Sequence, residues 1–252
     1  MIEVRNVSKT FPGNIQAVTD VSFHVAKGDI LVLVGLSGCG KTTTLKMINR
    51  LIEPDSGDIF LDGTNIKDYD PINLRRNIGY VIQDIGLLPH FTIGDNVGLV
   101  LKLKNYDKES IHEKTIEMLH MVGLAPAEFA HRYPDELSGG QKQRVGVARA
   151  LAADPDTLLM DEPFGALDPI FREELQDEFL KLQKSIQKTV VLVTHDVFEA
   201  VKLSDRIAIM KDGKIEQIDY PQSILDNPAS VFVERFLGRH REALKSFLKE
   251  NM

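Results

Sequence analysis

Cysteine is nearly absent: Cys39 is the single thiol in 252 residues, so no intrachain disulfide can form and a reducing, cytosolic compartment is expected. Long hydrophobic runs are missing too. The longest apolar stretch runs from Ile30 to Val34 and meets Gly35, far short of the roughly 18 to 20 residues that cross a bilayer. The opening MIEVRNVSK carries no apolar core of a secretion signal. An excess of positive charge is also lacking. Lys and Arg number 30 against 37 Asp and Glu, a formal net charge of -7, which excludes nucleic-acid binding through overall charge, and there is no basic arm. Glycine and proline are modest at 18 and 11 residues, so the chain is neither fibrous nor low-complexity. What is there is ordinary globular material, 43% hydrophobic and 27% charged, enough for one large domain or two small ones around a substantial core.

Val18, Val21, Phe23 and Val25 approach alternation, and ILVLV from Ile30 to Val34 is a β-branched run between Gly28 and Gly35. Both read as strands. From Thr42 to Ile52 the apolar Leu45, Ile48, Leu51 and Ile52 fall at helical spacing. The runs Ile78 to Ile82, Leu158 to Met160, Val190 to Val193 and Ile207 to Met210 do not alternate, as expected of buried strands in a mixed or parallel sheet. The fold class is therefore α/β. Between about Ile85 and Asp154 helical patterns replace strands, over Val97 to Leu103, Ile111 to Val122 and Gly139 to Ala153, which suggests an inserted helical subdomain. After Pro221, short helices over Ser223 to Leu225, Val231 to Leu237 and Arg239 to Leu248 suggest a C-terminal appendage.

Gly35-Leu36-Ser37-Gly38-Cys39-Gly40-Lys41-Thr42 fits G-x-x-x-x-G-K-[ST] and lies after a buried strand, opening a helix. There the glycines let successive N–H groups face phosphates, Lys41 reaches the β- and γ-phosphates, and the Thr42 hydroxyl ligates Mg²⁺. Cys39, among those N–H groups and near Lys41, is expected to favour thiolate. Leu158-Leu159-Met160-Asp161-Glu162 is a strand ending in two acids. Neighbouring strand residues point to opposite faces, so Asp161 and Glu162 are expected to have different jobs, one holding the Mg²⁺ shell and the other orienting water as a base. Leu137-Ser138-Gly139-Gly140-Gln141 places a hydroxyl and two glycines at a helix start, either a second anion site or a serine N-cap with turn glycines.

Taken in chain order, Gly35 to Thr42, Leu137 to Gln141 and Leu158 to Pro163 resemble the Walker A, signature and Walker B motifs of the ATP-binding subunits of ABC transporters, and the resemblance covers residues 1 to about 237. The resemblance implies a P-loop NTPase nucleotide-binding domain over 1–237, with a RecA-like core in 1–84 and 155–220, a helical subdomain at about 85–154, and a helical tail over 238–252. It also identifies Gln83 in VIQDIGL as the Q-loop glutamine, Ala166-Leu167-Asp168 as the D-loop, His195 in VTHD as the switch histidine, and Phe11 as an aromatic that stacks on adenine. The implied cofactors are ATP and Mg²⁺. Two copies would sandwich two ATP molecules, each held by Phe11, Gly35, Ser37, Gly38, Cys39, Gly40, Lys41, Thr42 and Thr43 of one copy and by Ser138, Gly139, Gly140, Gln141 and Asp168 across the dimer. Glu162, His195, Gln83 and Lys41 form the implied catalytic set, and Thr42, Gln83 and Asp161 the implied metal set. The helical insert would dock on integral membrane permease subunits at the cytoplasmic face of the membrane, served indirectly by an extracytoplasmic substrate-binding protein, with no role for nucleic acid.

KMINRLIEP from Lys46, VIQDIGL from Val81 and FGALDP from Phe164 resemble importer ATPases for the osmoprotectants glycine betaine, carnitine and choline. Many of those continue into paired regulatory CBS domains where this sequence stops at Met252, so such regulation is expected to be absent or truncated away. Importers of sulfonate, nitrate or amino acids are the alternative, and a soluble ABC ATPase acting on DNA or ribosomes is a more distant one. A small GTPase is not supported, because no N-K-x-D base-reading motif occurs.

Overall fold

The computed structural model describes residues 1–83, 85–165 and 167–251. The chain forms two compact units, 1–70 with 189–252, and 71–188. In the first unit the chain runs through β1 (Ile2–Phe11), β2 (Ile15–Val25), β3 (Ile30–Gly35), α1 (Lys41–Ile48), β4 (Ser56–Leu61) and β5 (Thr64–Asn65). The second holds α2 (Pro71–Arg76), β6 (Ile78–Val81), α3 (Ile93–Leu103), α4 (Lys108–Met121), α5 (Pro126–Phe129), α6 (Gly139–Leu151), β7 (Thr157–Asp161) and α7 (Pro169–Ile186). The chain then returns to the first unit with β8 (Thr189–Thr194), α8 (Val197–Leu203), β9 (Arg206–Lys211), β10 (Lys214–Asp219), α9 (Pro221–Asp226), α10 (Val231–Leu237) and α11 (Arg241–Asn251). The second unit is wider than a helical insert over 85–154, since it also contains β6, β7 and the 18-residue α7.

Every residue of β3 and β8 is buried. That suits parallel strands packed on both faces, and β3 pairs in parallel with β8 (Ile30 with Val190) and with β9 (Leu31 with Arg206). β10 closes that side as an antiparallel hairpin partner of β9. In the second unit β6 and β7 pair in parallel, Ile78 with Thr157 through Val81 with Met160.

A second sheet of the first unit, antiparallel in the order β2-β1-β4-β5, has only β2 among the strands expected from sequence. Its pairing explains why. Register shifts interrupt β1 against β2 between Val4 and Val7 and again near Lys9, where Asn6 and Asp20 take φ of +49° and +52°. Ser22 Oγ accepts from Asn6 N at 2.8 Å and Ser8 Oγ from Asp20 N at 2.9 Å, so hydroxyls replace ladder carbonyls and the period-two pattern is lost.

Helix α1 was expected to reach Ile52 but stops at Ile48. Arg50 sits at φ +47°, held there by its guanidinium, which donates to Ile66 O at 3.0 Å, Tyr69 O at 2.9 Å and Glu53. Leu51, expected on the helix's apolar face, is left exposed. In the second unit, Thr92, Asp107 and Ser138 cap α3, α4 and α6 through their side-chain oxygens. The buried Asn96 pins the segment before α3, donating to Leu88, Phe91 and Thr92 carbonyls and accepting from Leu88 N. The C-terminal helices pack onto the first unit. Arg241 donates to Leu225 O and Asp226 O, Lys245 pairs with Asp226 at 2.9 Å, and the Phe198 and His240 rings meet edge to face at 5.3 Å. Among the described residues no helix is long and apolar enough to cross a membrane.

Candidate functional site

The first unit presents the phosphate loop. β3 delivers Gly35 into a space without room for a side chain, since a Cβ would stand 2.3 Å from Met210 O and 2.8 Å from Cys39 Sγ. Gly40, at φ +105°, is equally confined, its would-be Cβ 2.3 Å from Ala17 O. Lys41 folds its stem back along the loop, and its buried ammonium donates to Gly35 O at 2.7 Å and Leu36 O at 3.1 Å. The start of α1 has no side-chain cap and no acid in its first turn, so its N–H groups and the helix dipole favour an anion. Ser37 and Gly38 are exposed, and Thr42 and Thr43 are half-buried at the start of that helix. This loop geometry fits a phosphate group.

Cys39 behaves otherwise than expected. Its sulfur is buried, and burial pushes the thiol up by more than Lys41, 3.8 Å from it, pulls it down. The thiolate is therefore disfavoured, because desolvation outweighs the nearby ammonium.

Two further expected residues belong to this unit. His195 is exposed between β8 and α8, and the next residue, Asp196, caps α8 by accepting from Phe198 N at 2.8 Å and Glu199 N at 3.3 Å. Phe11 ends β1 opposite Ile15, half-buried, with Lys9 Nζ 5.9 Å from its ring centre.

The second unit carries the acids. Asp161 ends β7 and is 3% exposed, beside the half-buried Tyr80, whose hydroxyl is pushed up by burial and by the Asp161 charge. Glu162 does not continue the strand. At φ +46° it has turned into the left-handed region, where a non-glycine residue is strained, so its direction is set by this turn and not by strand alternation. Gln83, just beyond β6, donates through Nε2 to Glu162 Oε2 at 3.4 Å. Asp168 is exposed ahead of α7; Asp84 of the Q-loop run and Ala166 of the D-loop lie outside the described residues.

Ser138 caps α6. Its Oγ accepts from Gln141 N at 3.3 Å and Gln141 Oε1 accepts from Ser138 N at 3.0 Å, a reciprocal capping box. The serine N-cap is therefore present. Gly139 is exposed and a Cβ there would meet nothing within 4 Å, so the helix start is open to solvent.

Sequence reading missed Arg149. From α6 it donates to Ile85 O at 2.6 Å and Gly86 O at 2.7 Å, and Ile85 takes φ +60°, a strained conformation for a β-branched residue. Burial lowers the guanidinium from its ordinary value, yet it stays charged. Arg149 thus ties the segment after Gln83 to the helix that begins at Ser138. Its position on the helix, eight residues beyond Gln141, gave no motif signal.

A family profile described as "ABC transporter" matches residues 18–165. Among curated proteins, the chain is 58% identical to the choline transport ATP-binding protein OpuBA of Bacillus subtilis (strain 168), over 96% of its own length and 63% of that protein's. It is 56% identical to the glycine betaine/carnitine/choline transport ATP-binding protein OpuCA of the same organism, again over 96% of this chain and 63% of the relative. The chain thus spans less than two thirds of the length of these relatives. Among solved structures, the dimeric ATP-binding cassette MJ0796, bound to ADP and Pi in a post-hydrolysis state, superposes with a TM-score of 0.80 at 36% identity, covering 88% of this chain and 99% of that one. With its phosphate loop, capped signature helix and strand-end acids in the expected elements, the chain belongs to the ABC transporter family.

Proposed function

We propose that this chain is the ATP-binding and ATP-hydrolysing subunit of an importer for quaternary-amine osmoprotectants, namely glycine betaine, carnitine or choline. The observation that carries this reading is the identity above 55% to two relatives named for those solutes, joined to a phosphate loop shaped for a nucleotide. In this reading Lys41 and the amides opening α1 hold the phosphates, Phe11 carries the adenine, and His195 contacts the terminal phosphate. Glu162 accepts a proton from the attacking water, and Gln83 holds that carboxylate while sensing the metal. Catalysis of this kind is positioning together with electrostatic stabilisation. Mg²⁺, when bound, supplies neutralising charge at the phosphate oxygens. Thr42, Asp161 and Gln83 would hold it, since a hydroxyl, a carboxylate and an amide oxygen are the hard donors such a cation takes.

The dimeric state of MJ0796 supports two copies sandwiching nucleotide, with Ser138, Gly139, Gly140, Gln141 and Asp168 facing the partner's phosphate loop. A cavity of about 820 Å³ among α3, α4 and α5, lined by Ile111, Thr115, Ile116, Ala127 and Ala130, supports docking on a membrane permease and so a peripheral place at the cytoplasmic face. Uptake in a strain lacking this gene and redundant carriers tests the solute. Under high external salt, loss of glycine betaine, carnitine or choline import, restored by the wild-type gene and not by Lys41→Ala, is expected. Unchanged uptake of all three would transfer the assignment to importers of sulfonate, nitrate or amino acids.

A further inference from the structure

Two hairpins of the first unit are closed by the same dipeptide. Asp62-Gly63 joins β4 to β5 and Asp212-Gly213 joins β9 to β10, and the turns match, with φ of +48° and +82° in one and +45° and +79° in the other. Such paired left-handed residues are what a two-residue hairpin requires. Their surroundings differ. A Cβ on Gly63 would meet nothing within 4 Å, whereas one on Gly213 would lie 3.1 Å from Ala17 O and 3.3 Å from Val18 Cα. Turn conformation asks for glycine at both positions, but only at Gly213 does a neighbouring backbone also crowd a side chain.

That neighbour leads to the phosphate loop. Gly213 N donates to Cys39 O at 3.1 Å, and Gly213 O accepts from Thr19 N at 2.8 Å, so one residue bridges β2 and the loop. Ala17 O, which a side chain on Gly213 would crowd, is the same atom that bars a side chain from Gly40. Met210 O, from the strand feeding this turn, bars one from Gly35. Peptide planarity converts these contacts into direction. In a trans peptide the C=O and N–H point opposite ways, so tying Cys39 O to Gly213 aims Gly40 N–H away from the hairpin. Fixed backbone amides of this kind are what a phosphate cradle is made of.

We propose that the Asp212-Gly213 turn is a positioning element for nucleotide binding, a backbone brace that sets the Cys39-Gly40 peptide before phosphate arrives. The proposal rests on reading residues 35–42 as the nucleotide site and adds to it a residue more than 170 positions away in sequence.

The test compares Gly213→Ala with Gly63→Ala in the full chain. Both substitutions put the same residue into the same strained turn, so each loses thermal stability to that strain; Gly213→Ala loses more, through its crowding of Ala17 O, and it alone reaches the loop. Alkylation of Cys39 by N-ethylmaleimide in nucleotide-free protein reads the loop without ATP, and the Kd of MgATP reads the cradle. Gly213→Ala should speed alkylation by about fivefold or more through local opening. It should also weaken MgATP binding by about tenfold, while Gly63→Ala stays within about twofold of wild type in both. Gly213→Asn, which tolerates positive φ, should act in the same direction and keeps the comparison readable if the alanine variant does not fold. Equal effects from the two turns, or alkylation of the Gly213 variants at the wild-type rate, would overturn the brace. Wild-type protein that fails to bind MgATP would contradict the nucleotide reading, and the alkylation comparison would still decide the brace.

Discussion

Gln83 Nε2 donates to Glu162 Oε2 across 3.4 Å, joining residues 79 positions apart at the ends of β6 and β7. At that length the bond is weak, so it orients the carboxylate more than it stabilises the fold. Gln83→Ala should lower kcat by about tenfold to a hundredfold, the usual cost of a misplaced catalytic group. Steady-state phosphate release checks this, and an unchanged kcat would remove Gln83 from the hydrolytic step.

Arg149 makes a comparable link with more at stake, because two charge-assisted bonds hold Ile85 in a strained conformation. Arg149→Ala should cost about 2 to 3 kcal/mol in denaturant unfolding, since hydrogen bonds to charged groups contribute about 1.5 to 3 kcal/mol. Arg149→Lys should recover little of it, because an ammonium cannot reproduce the planar fork that meets both carbonyls. Full rescue by lysine would show that charge alone matters at this position.

Cys39 should react slowly with maleimides at neutral pH, and its rate-against-pH midpoint should lie above that of a free thiol, because burial raises it. The linkage has a definite sign. A thiol whose folded value exceeds its unfolded one adds stability that is complete below the unfolded value and is lost as pH rises through the folded value. MgATP should slow alkylation further. Equal rates with and without MgATP would show that nucleotide does not cover this sulfur.

Asp196→Ala removes the cap of α8 and should destabilise the protein by about 1 kcal/mol. Because His195 directly precedes it, the same change should lower ATP turnover. Asp196→Asn keeps the cap oxygen, and its turnover should fall less. Turnover equal in all three proteins would separate His195 from the helix it precedes.

How much of this was legible in the sequence depended on how local the signal is. β3, β8 and β9 are short apolar runs buried on both faces, and they read correctly because nothing interrupts them. β1, β4 and β10 did not, since half-exposed strands with register shifts lose their alternation. The phosphate loop was visible as a contiguous motif lying between a strand and a helix. Arg149 and Gly213 act on distant backbone carbonyls, Ile85 and Gly86 for one and Cys39 for the other, and a contact of that kind leaves no trace in residue spacing. The strand-end argument for Asp161 and Glu162 relied on alternation, and the left-handed turn at Glu162 ends that alternation.

The most direct measurement of the proposed chemistry is phosphate release from MgATP by the wild-type chain and by Glu162→Gln. Glutamine keeps the size and hydrogen-bonding reach of glutamate and loses the proton acceptor, a change worth about a hundredfold or more in rate. The wild type should turn over MgATP, and the variant should bind it with similar affinity, release phosphate at least about a hundredfold more slowly and accumulate as an ATP-bound dimer. Hydrolysis by Glu162→Gln near the wild-type rate would contradict the assignment of Glu162 as the base.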